Sequence, residues 1–180
     1  MTLIDIMYRS QARLKMYSRI KWTQPELVVL ANDVQEEIAD MIRSVHPDIW
    51  LTHTTYSLVN GTQYYDLPET LLAVKRFERI DVTPPSEIRF IEFSHKHNLE
   101  SGGTPSYWCW ADTTSDRPTT KRRFALLPIP DSNKTDWLRL WFERKPIDMK
   151  DTVDSPDLPL QAHRLIPPKI ELKILTAQGL

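Results

Sequence analysis

Two histidines could bind a metal, but the sequence shows no further ligand that would complete the site. His95 and His97 stand two residues apart, a spacing that on a strand would place both on one face. Zinc sites use such pairs, but they need further ligands, and the sequence marks no third ligand. The neighbouring Ser94, Lys96 and Asn98 are typical of an exposed turn. The sequence therefore predicts surface histidines and no metal site.

The residues that could act as nucleophiles are equally isolated. The one cysteine, Cys109, lies between Trp108 and Trp110, which favours a small hydrophobic residue within a strand. It cannot form an intrachain disulfide and is consistent with a reducing cytoplasm. His163 lies beside Arg164 with no serine or cysteine nearby, which favours a surface position. Without a glycine-rich phosphate loop or a G-x-S-x-G motif, the chain is predicted to be no enzyme and to need no cofactor.

One dense basic cluster stands out, formed by Arg117, Lys121, Arg122 and Arg123. Such a run is usually a solvated loop. The alternative is that several copies of the chain line a channel, where these residues meet the phosphate backbone of DNA. The formal net charge of -1 excludes a strong overall attraction to nucleic acid but leaves a local basic strip open.

The composition is that of a globular protein with stiff loops. Among 180 residues there are 14 prolines, 4 glycines and 6 tryptophans. Prolines at segment ends suit short strands joined by stiff loops, and abundant tryptophan serves either a core or a subunit interface. No apolar run approaches the roughly 20 residues that cross a bilayer, and the N-terminus lacks a secretory pattern. We expect one domain, or a domain with an appendage, and no membrane partner.

The first third of the sequence predicts two helices. Thr2 is a candidate cap for the first. The second opens on Thr23-Gln24-Pro25-Glu26, which combines a capping box with a proline in the first turn, and it should stop at His46 because Pro47 follows. Its predicted buried stripe consists of Leu27, Leu30, Val34, Ile38, Met41 and Val45.

From residue 52 the pattern alternates with the period of strands. Asn60-Gly61 predicts a hairpin with a two-residue type I′ turn that places Tyr56 opposite Tyr65. Further strands are predicted at residues 72–82, with a register change near Arg76, and at three later segments. These are residues 106–112, 123–127 and 137–144, whereas residues 88–93 fit either a strand or a helical turn.

The end of the chain combines an acidic link with a helical segment. Residues 148–157 are acidic, contain Pro156 and are flanked by Pro146 and Pro159, which predicts an extended link that buries itself poorly. Residues 160–176 look helical but are interrupted by Pro167-Pro168. We therefore predict an α+β fold in which N-terminal (1–50) and C-terminal (148–180) helices form a bundle and an antiparallel β domain (51–147) is inserted between them.

Several short motifs occur in the order typical of one phage family. They are residues 56–68 (YSLVNGTQYYDLP), 73–81, 103–107 (GTPSY), 127–130 (LPIP), 138–144 and 155–159 (SPDLP). Together they make the chain resemble the head-to-tail adaptor, or connector, proteins of short-tailed bacteriophages. The interruption at Pro167-Pro168 departs from the uninterrupted last helix of that family.

The resemblance implies a structural role in the virion. It implies a homo-oligomeric ring, a dodecamer of roughly twelve subunits, that connects the capsid portal to the tail nozzle. Double-stranded DNA would pass through its channel without sequence specificity. The protein would be made in the host cytoplasm and would lie at the head-to-tail junction.

The sequence also allows two other functions. The tryptophans also permit a carbohydrate-binding β module of a virion or cell-surface protein, which would need exposed tryptophans clustered in one concave site. An enzyme of unrecognised chemistry would need a pocket with converging ionisable groups. Within the adaptor hypothesis, the apolar residues that we expect to dock on the portal are Leu165, Ile166, Ile170, Leu172, Ile174 and Leu175.

Overall fold

The chain divides into two compact units. The computed structural model describes residues 1–17, 22–92, 102–111 and 122–177. The helical unit comprises Met1–Ile49 and Lys145–Leu180, and the β unit comprises Trp50–Arg144. The fold is therefore α+β.

The helical unit contains three α-helices around an apolar core. These are α1 (Leu3–Tyr17), α2 (Gln24–Val45) and α3 (Ile166–Ala177), with a 3-10 helix at Leu160–Leu165 directly before α3. All three contribute to one cluster, in which Ile6, Leu27, Val34, Ile38 and Ile170 are buried. In the described residues, no helix is both long and apolar enough to cross a membrane.

The limits of α2 confirm the predicted helix signals. The Thr23 hydroxyl and backbone nitrogen donate to the Glu26 carboxylate at 2.7 and 2.8 Å, and these hydrogen bonds lower the pKa of Glu26. At the other end, the His46 nitrogen donates to the Ile42 carbonyl at 2.8 Å, one residue before Pro47. The helix thus begins and ends where its caps are.

The buried face of α2 is shorter than the predicted stripe. Leu27, Val34 and Ile38 are buried, and Ala31, which was not predicted, is buried with them. Leu30 is only half-buried, and Met41 and Val45 are exposed. Ile42, one turn after Ile38, packs against the same core, so the buried face continues along Ile38 and Ile42 and leaves Met41 and Val45 beside it. The helical period allows more than one choice of apolar face, and the sequence alone selected the wrong one at this end of α2.

The acidic link packs on α2 through a few contacts, while most of its residues are exposed, in agreement with the predicted poor burial. Met149 is buried, and its backbone nitrogen and carbonyl both pair with the Asn32 side chain, at 2.9 and 3.0 Å. The Gln35 amide donates to the Ile147 carbonyl at 2.9 Å and accepts from the Asp157 nitrogen at 2.8 Å. Two side-chain amides thus replace the backbone partners that a strand or helix would have provided.

Pro167-Pro168 opens α3 instead of interrupting a longer helix. Ile166 is the first residue of α3, so both prolines fall in its first turn, where the backbone nitrogens have no intrahelical acceptor. The 3-10 helix supplies the turn before them. The departure from the expected uninterrupted helix is therefore a change of helix type at residue 166.

The β unit is built on a seven-stranded sheet. Its strands are β1 (Leu51–Leu58), β2 (Tyr64–Asp66), β3 (Leu71–Arg79), β4 (Ser86–Phe90), β6 (Tyr107–Ala111), β7 (Arg123–Leu127) and β9 (Lys134–Arg144). Their order is β1-β9-β3-β4-β6-β7-β2. A separate pair joins β5 (Gly102–Gly103) to β8 (Ile129–Pro130).

The sheet is mixed, which corrects the predicted antiparallel domain. The β4–β6 and β5–β8 pairs are parallel. A parallel pair needs a crossover of about a dozen residues or more, and the segment between Phe90 and Tyr107 is long enough to provide one. The alternation of apolar and polar residues is the same in parallel and antiparallel strands, so it could not predict the direction in which these strands pair.

The turn at Asn60-Gly61 is present, but the predicted hairpin around it is wrong. Gly61 has a φ of 73° and the Thr62 nitrogen donates to the Val59 carbonyl at 3.0 Å. Only the second central residue has positive φ, as in a type II turn. The strands on either side pair with different partners: Tyr56 faces Leu138 on β9, and β2 pairs with β7.

The turn therefore joins the two edges of the sheet. The rings of Tyr56 and Tyr65 meet edge to face with centroids 6.2 Å apart, and the Tyr65 hydroxyl accepts from the Val59 nitrogen at 3.3 Å. The Tyr56 hydroxyl donates to the Asp66 carbonyl at 3.0 Å, and burial raises the pKa of Tyr56 to about 12. The sheet curls so that side chains, not ladder hydrogen bonds, connect β1 to β2.

Alternation along β9 separates the two faces of the sheet. Leu138, Leu140 and Phe142 lie in the apolar core, whereas Arg139 and Trp141 are half-buried; Trp137 departs from the alternation, since it is buried in the same core. The register of β3 against β9 shifts between Val74 and Arg76, which confirms the predicted register change.

Candidate assembly surfaces

The basic cluster is only partly within the described residues. Arg117 and Lys121 lie outside them. Arg123 starts β7, and its guanidinium pairs with the Asp66 carboxylate at 2.6 Å, so its charge is locally compensated. The Arg122 side chain is exposed and contacts no carboxylate in the described part of the chain. Of the four predicted DNA-facing residues, Arg122 is thus the one that the structure presents to solvent without a partner.

The six predicted docking residues fall into two groups. Ile166, Ile170 and Ile174 are buried in the core of the helical unit, so they stabilise the unit and are not available to a partner. Leu165 is exposed, Leu172 is 63% exposed and Leu175 is half-buried. Periodicity separates these groups within α3, because Ile166, Ile170 and Ile174 recur every four residues on one face. The exposed candidates are therefore Leu165 and Leu172.

An aromatic and cationic surface covers the outward face of β1, β9 and β3. We call it the Trp141 face. Around the Trp141 ring lie the His53 ring, with centroids 4.8 Å apart, and the guanidinium carbons of Arg76 and Arg139, at 5.6 and 5.9 Å from the ring centroid. The Trp141 indole nitrogen donates to the Glu78 carboxylate at 2.7 Å. This hydrogen bond fixes the ring on which the cations stack.

The cations on the Trp141 face project further than its carboxylates. Arg76 pairs with Glu78 at 2.8 Å, but its side chain is 53% exposed whereas that of Glu78 is 13% exposed. Lys75 pairs in the same way with the covered Glu143 at 3.1 Å. Arg139 stacks on Trp141 and has no carboxylate partner among the described residues. The solvent side of this surface is therefore positive.

A second ionic group surrounds Trp137 on the same strand. Arg79 forms two hydrogen bonds to the Asp81 carboxylate, at 2.8 and 3.0 Å, and Lys134 lies 3.7 Å from it. The guanidinium of Arg79 lies 5.2 Å from the Trp137 ring centroid. The pairing with Arg79, together with Lys134 nearby, lowers the pKa of Asp81 to about 2. Arg79 and Asp81 thus form an ion pair beside the buried Trp137 ring.

The residues examined for chemistry do not converge on a site. Cys109 is buried in its strand, as predicted. His163 is buried, which corrects its predicted surface position: a ring nitrogen lies 3.0 Å from the Leu158 carbonyl. His95 and His97 lie outside the described residues. Within those residues no group of histidine, cysteine and carboxylate side chains has the geometry of a metal site.

The tryptophans do not form an exposed cluster. Trp50, Trp108 and Trp137 are buried, and Trp141 is half-buried beneath its cations. Trp110 is the one tryptophan among the exposed large hydrophobics of the described residues. The concave row of exposed rings that a carbohydrate site would need is not found in the described residues.

Comparison with known families decides the class of protein. The SU10 adaptor protein family matches residues 1–167, which cover the whole β unit and the helical unit up to the start of α3. The chain belongs to this family of phage adaptor proteins. No curated relative matches the chain significantly. Family membership makes it a structural component of a bacteriophage virion and not a member of an enzyme family.

Some features of this adaptor could not be found from sequence. The Trp141 face brings together His53, Arg76, Arg139 and Trp141 from three strands, of which β9 is far from β1 and β3 in the chain. The only local signal was the alternation of Trp137, Arg139 and Trp141 on β9. The strand order that aligns His53 and Arg76 with it depends on tertiary pairing.

Proposed function

We propose that this adaptor forms a cyclic ring that joins the capsid portal to the tail nozzle and extends the channel through which DNA leaves the head. The observation that carries the proposal is the family match over residues 1–167. A ring is the expected assembly because oligomers of identical subunits mostly have closed symmetry, and cyclic symmetry leaves a channel along its axis.

Portal docking is assigned to the C-terminal segment. Leu165 and Leu172 are exposed on the 3-10 helix and α3, and Leu160 is more exposed still. Three exposed leucines on one terminal segment favour contact with another protein over contact with solvent. The buried isoleucines of α3 would keep the segment folded on its own unit while these leucines meet the portal.

The DNA channel is assigned to the basic cluster, through Arg122. Repetition around a ring would multiply one exposed cation per subunit into a positive belt, which contacts phosphate without reading sequence. The compensated Arg123 would contribute less, because Asp66 already neutralises it.

The proposal is tested by mixing the purified chain with the portal protein of the same phage and imaging the complex by electron microscopy. A ring of density on the portal, coaxial with its channel, supports it. Portal particles that remain bare at saturating concentrations of the chain contradict it.

A further inference from the structure

The acidic link contains a rigid turn at residues 150–154. The Asp154 carboxylate accepts hydrogen bonds from the backbone nitrogens of Lys150 and Asp151, at 2.8 and 2.9 Å. The Asp154 nitrogen donates back to the Asp151 carbonyl at 2.9 Å. These contacts lower the pKa of Asp154 and close the turn on itself.

The same turn is fixed to the start of α1. The carbonyls of Thr152 and Asp154 accept from the backbone nitrogens of Ile4 and Leu3, at 3.1 and 2.7 Å. The first nitrogens of a helix have no intrahelical acceptor, so the turn satisfies them. At its tip Val153 is 77% exposed. An apolar tip held in a preformed turn loses little conformational entropy when a partner covers it.

Two aspartates beside this tip are available to a partner. The side chains of Asp148 and Asp151 are exposed and contact no cation among the described residues. The carboxylate of Asp157, by contrast, accepts from the Ile147 nitrogen at 3.0 Å. Lys150 supplies one opposing charge in the link. The accessible part of the link is thus an apolar tip flanked by two carboxylates.

The Trp141 face has the complementary chemistry. It offers an aromatic floor in Trp141 and His53, the exposed guanidinium group of Arg76, and the half-buried Arg139 stacked on the indole. Arg139 is ready to pair, since it stacks on the indole and has no carboxylate among the described residues. An aromatic surface beside an arginine is typical of the centre of a protein interface.

We propose that the 150–154 turn of one copy docks on the Trp141 face of the next copy, with Val153 against Trp141 and His53 and with Asp151 paired to Arg139. The inference rests on the proposed ring and specifies a contact within it. Every copy carries both surfaces, and they are different surfaces, which is what head-to-tail closure requires.

The occupant of this face is a second copy and not DNA. A phosphate backbone would use the guanidinium groups but would leave the apolar Val153 tip and the aromatic floor without a function. The link also carries its charges at fixed positions, so charge complementarity sets the register of the contact.

The test exchanges the two charges of the proposed contact and measures how each variant assembles. Arg139→Glu and Asp151→Arg should each raise the concentration for half-maximal assembly at least about tenfold, and the double variant should recover most of that loss. Val153→Ser should weaken assembly without changing its salt dependence. Assembly is followed by sedimentation velocity and by imaging on the portal. The control variants are Arg89→Glu, an exposed cation on β4, and Val29→Ser, an exposed valine on α2.

The outcomes separate this inference from the proposed function. If Arg139→Glu assembles like the wild type, or if the swapped pair stays as weak as the single variants, the inference is wrong while the ring stands. If Arg139→Glu loses only binding to DNA in a mobility-shift assay, phosphate is the occupant and the inference is overturned. If the wild-type chain forms no assembly with or without the portal, the proposed function fails and this inference fails with it.

Discussion

At the scale of single residues, buried polar side chains connect distant parts of the helical unit. Gln35 is almost fully buried, yet it both donates to and accepts from the backbone of the acidic link. Because the link has no regular secondary structure there, it depends on this amide and on Asn32. The sequence places Gln35 among the polar residues of α2 and gives no sign that it is buried.

Gln35→Ala is expected to lower the free energy of unfolding by about 1–3 kcal/mol, because it removes a buried amide that pairs with the Ile147 carbonyl and the Asp157 nitrogen. Urea unfolding followed by circular dichroism measures the change. Asp33→Ala, at an exposed position of the same helix, is the control and should change little. An equally small effect at Gln35 would mean that water replaces the amide.

The Asp81 carboxyl gives a pH-dependent prediction. Its pKa is lowered from 3.8 to about 2, chiefly by the hydrogen bonds from Arg79. A carboxyl whose pKa is lower in the folded state stabilises the fold above its unfolded pKa, and that contribution is lost as the pH falls towards its folded pKa. Asp81 should therefore stabilise the β unit at neutral pH and lose its effect between about pH 4 and pH 2.

Titration followed by carbon-detected NMR measures this pKa directly. In Asp81→Asn, stability should depend less on pH across the same window, because the group that titrates has been removed. A pKa near 3.8 for Asp81 in the folded protein would show that the Arg79 pair does not persist in solution.

At the scale of elements, the features that neighbouring residues determine were predicted correctly, whereas the strand pairings that depend on distant residues were not. The capping box of α2 and the alternation of β9 are set by neighbouring residues, so the sequence contains them. The pairing of β1 with β9 instead of β2, and the parallel β4–β6 pair, depend on residues far apart in the chain. The Asn60-Gly61 signal correctly gave a tight turn, but a turn alone does not decide whether its flanking strands pair.

The buried face of α2 makes a testable distinction between two apolar residues. Ile38→Ala should cost about 2–5 kcal/mol of unfolding free energy, because Ile38 is fully packed in the helical core. Met41→Ala, one turn later and exposed, should cost less than about 0.5 kcal/mol. Thermal and urea unfolding of both variants measures the difference. Equal losses would show that another element covers the end of α2.

The turn at Gly61 isolates a backbone effect. A Cβ at this position would meet no atom within 4 Å, so any cost of a substitution comes from the positive φ and not from a clash. Gly61→Val should destabilise the β unit by about 1–2 kcal/mol, while Gly61→Asn should cost less, because asparagine tolerates this region better. Urea unfolding of the two variants measures this difference. If both variants unfold like the wild type, the turn changes its conformation at little cost.

At the scale of the whole molecule, each unit presents surface groups that its own fold leaves unused. In the helical unit they are the Val153 tip and the exposed leucines of the C-terminal segment, and in the β unit they are Arg122 and the Trp141 face. Their chemistry differs: apolar for the leucines, cationic for Arg122, and mixed for the remaining two. In the proposed ring, each subunit would meet the portal, DNA and its own neighbours, and it would need surfaces that do not compete with one another.

Portal docking by the C-terminal segment can be separated from its role in the core. The double variant Leu165→Ser and Leu172→Ser should fold normally, because both side chains are exposed, and it should bind the portal at least about tenfold more weakly, because two apolar contacts are lost. Ile170→Ser should instead unfold the helical unit, since Ile170 is buried in its core. Circular dichroism reports folding, and co-sedimentation with the portal reports binding. Val29→Ser, on α2, is the exposed control. Normal portal binding by the double variant would place the docking surface elsewhere on the adaptor, whereas unfolding of the double variant would show that these leucines belong to the core.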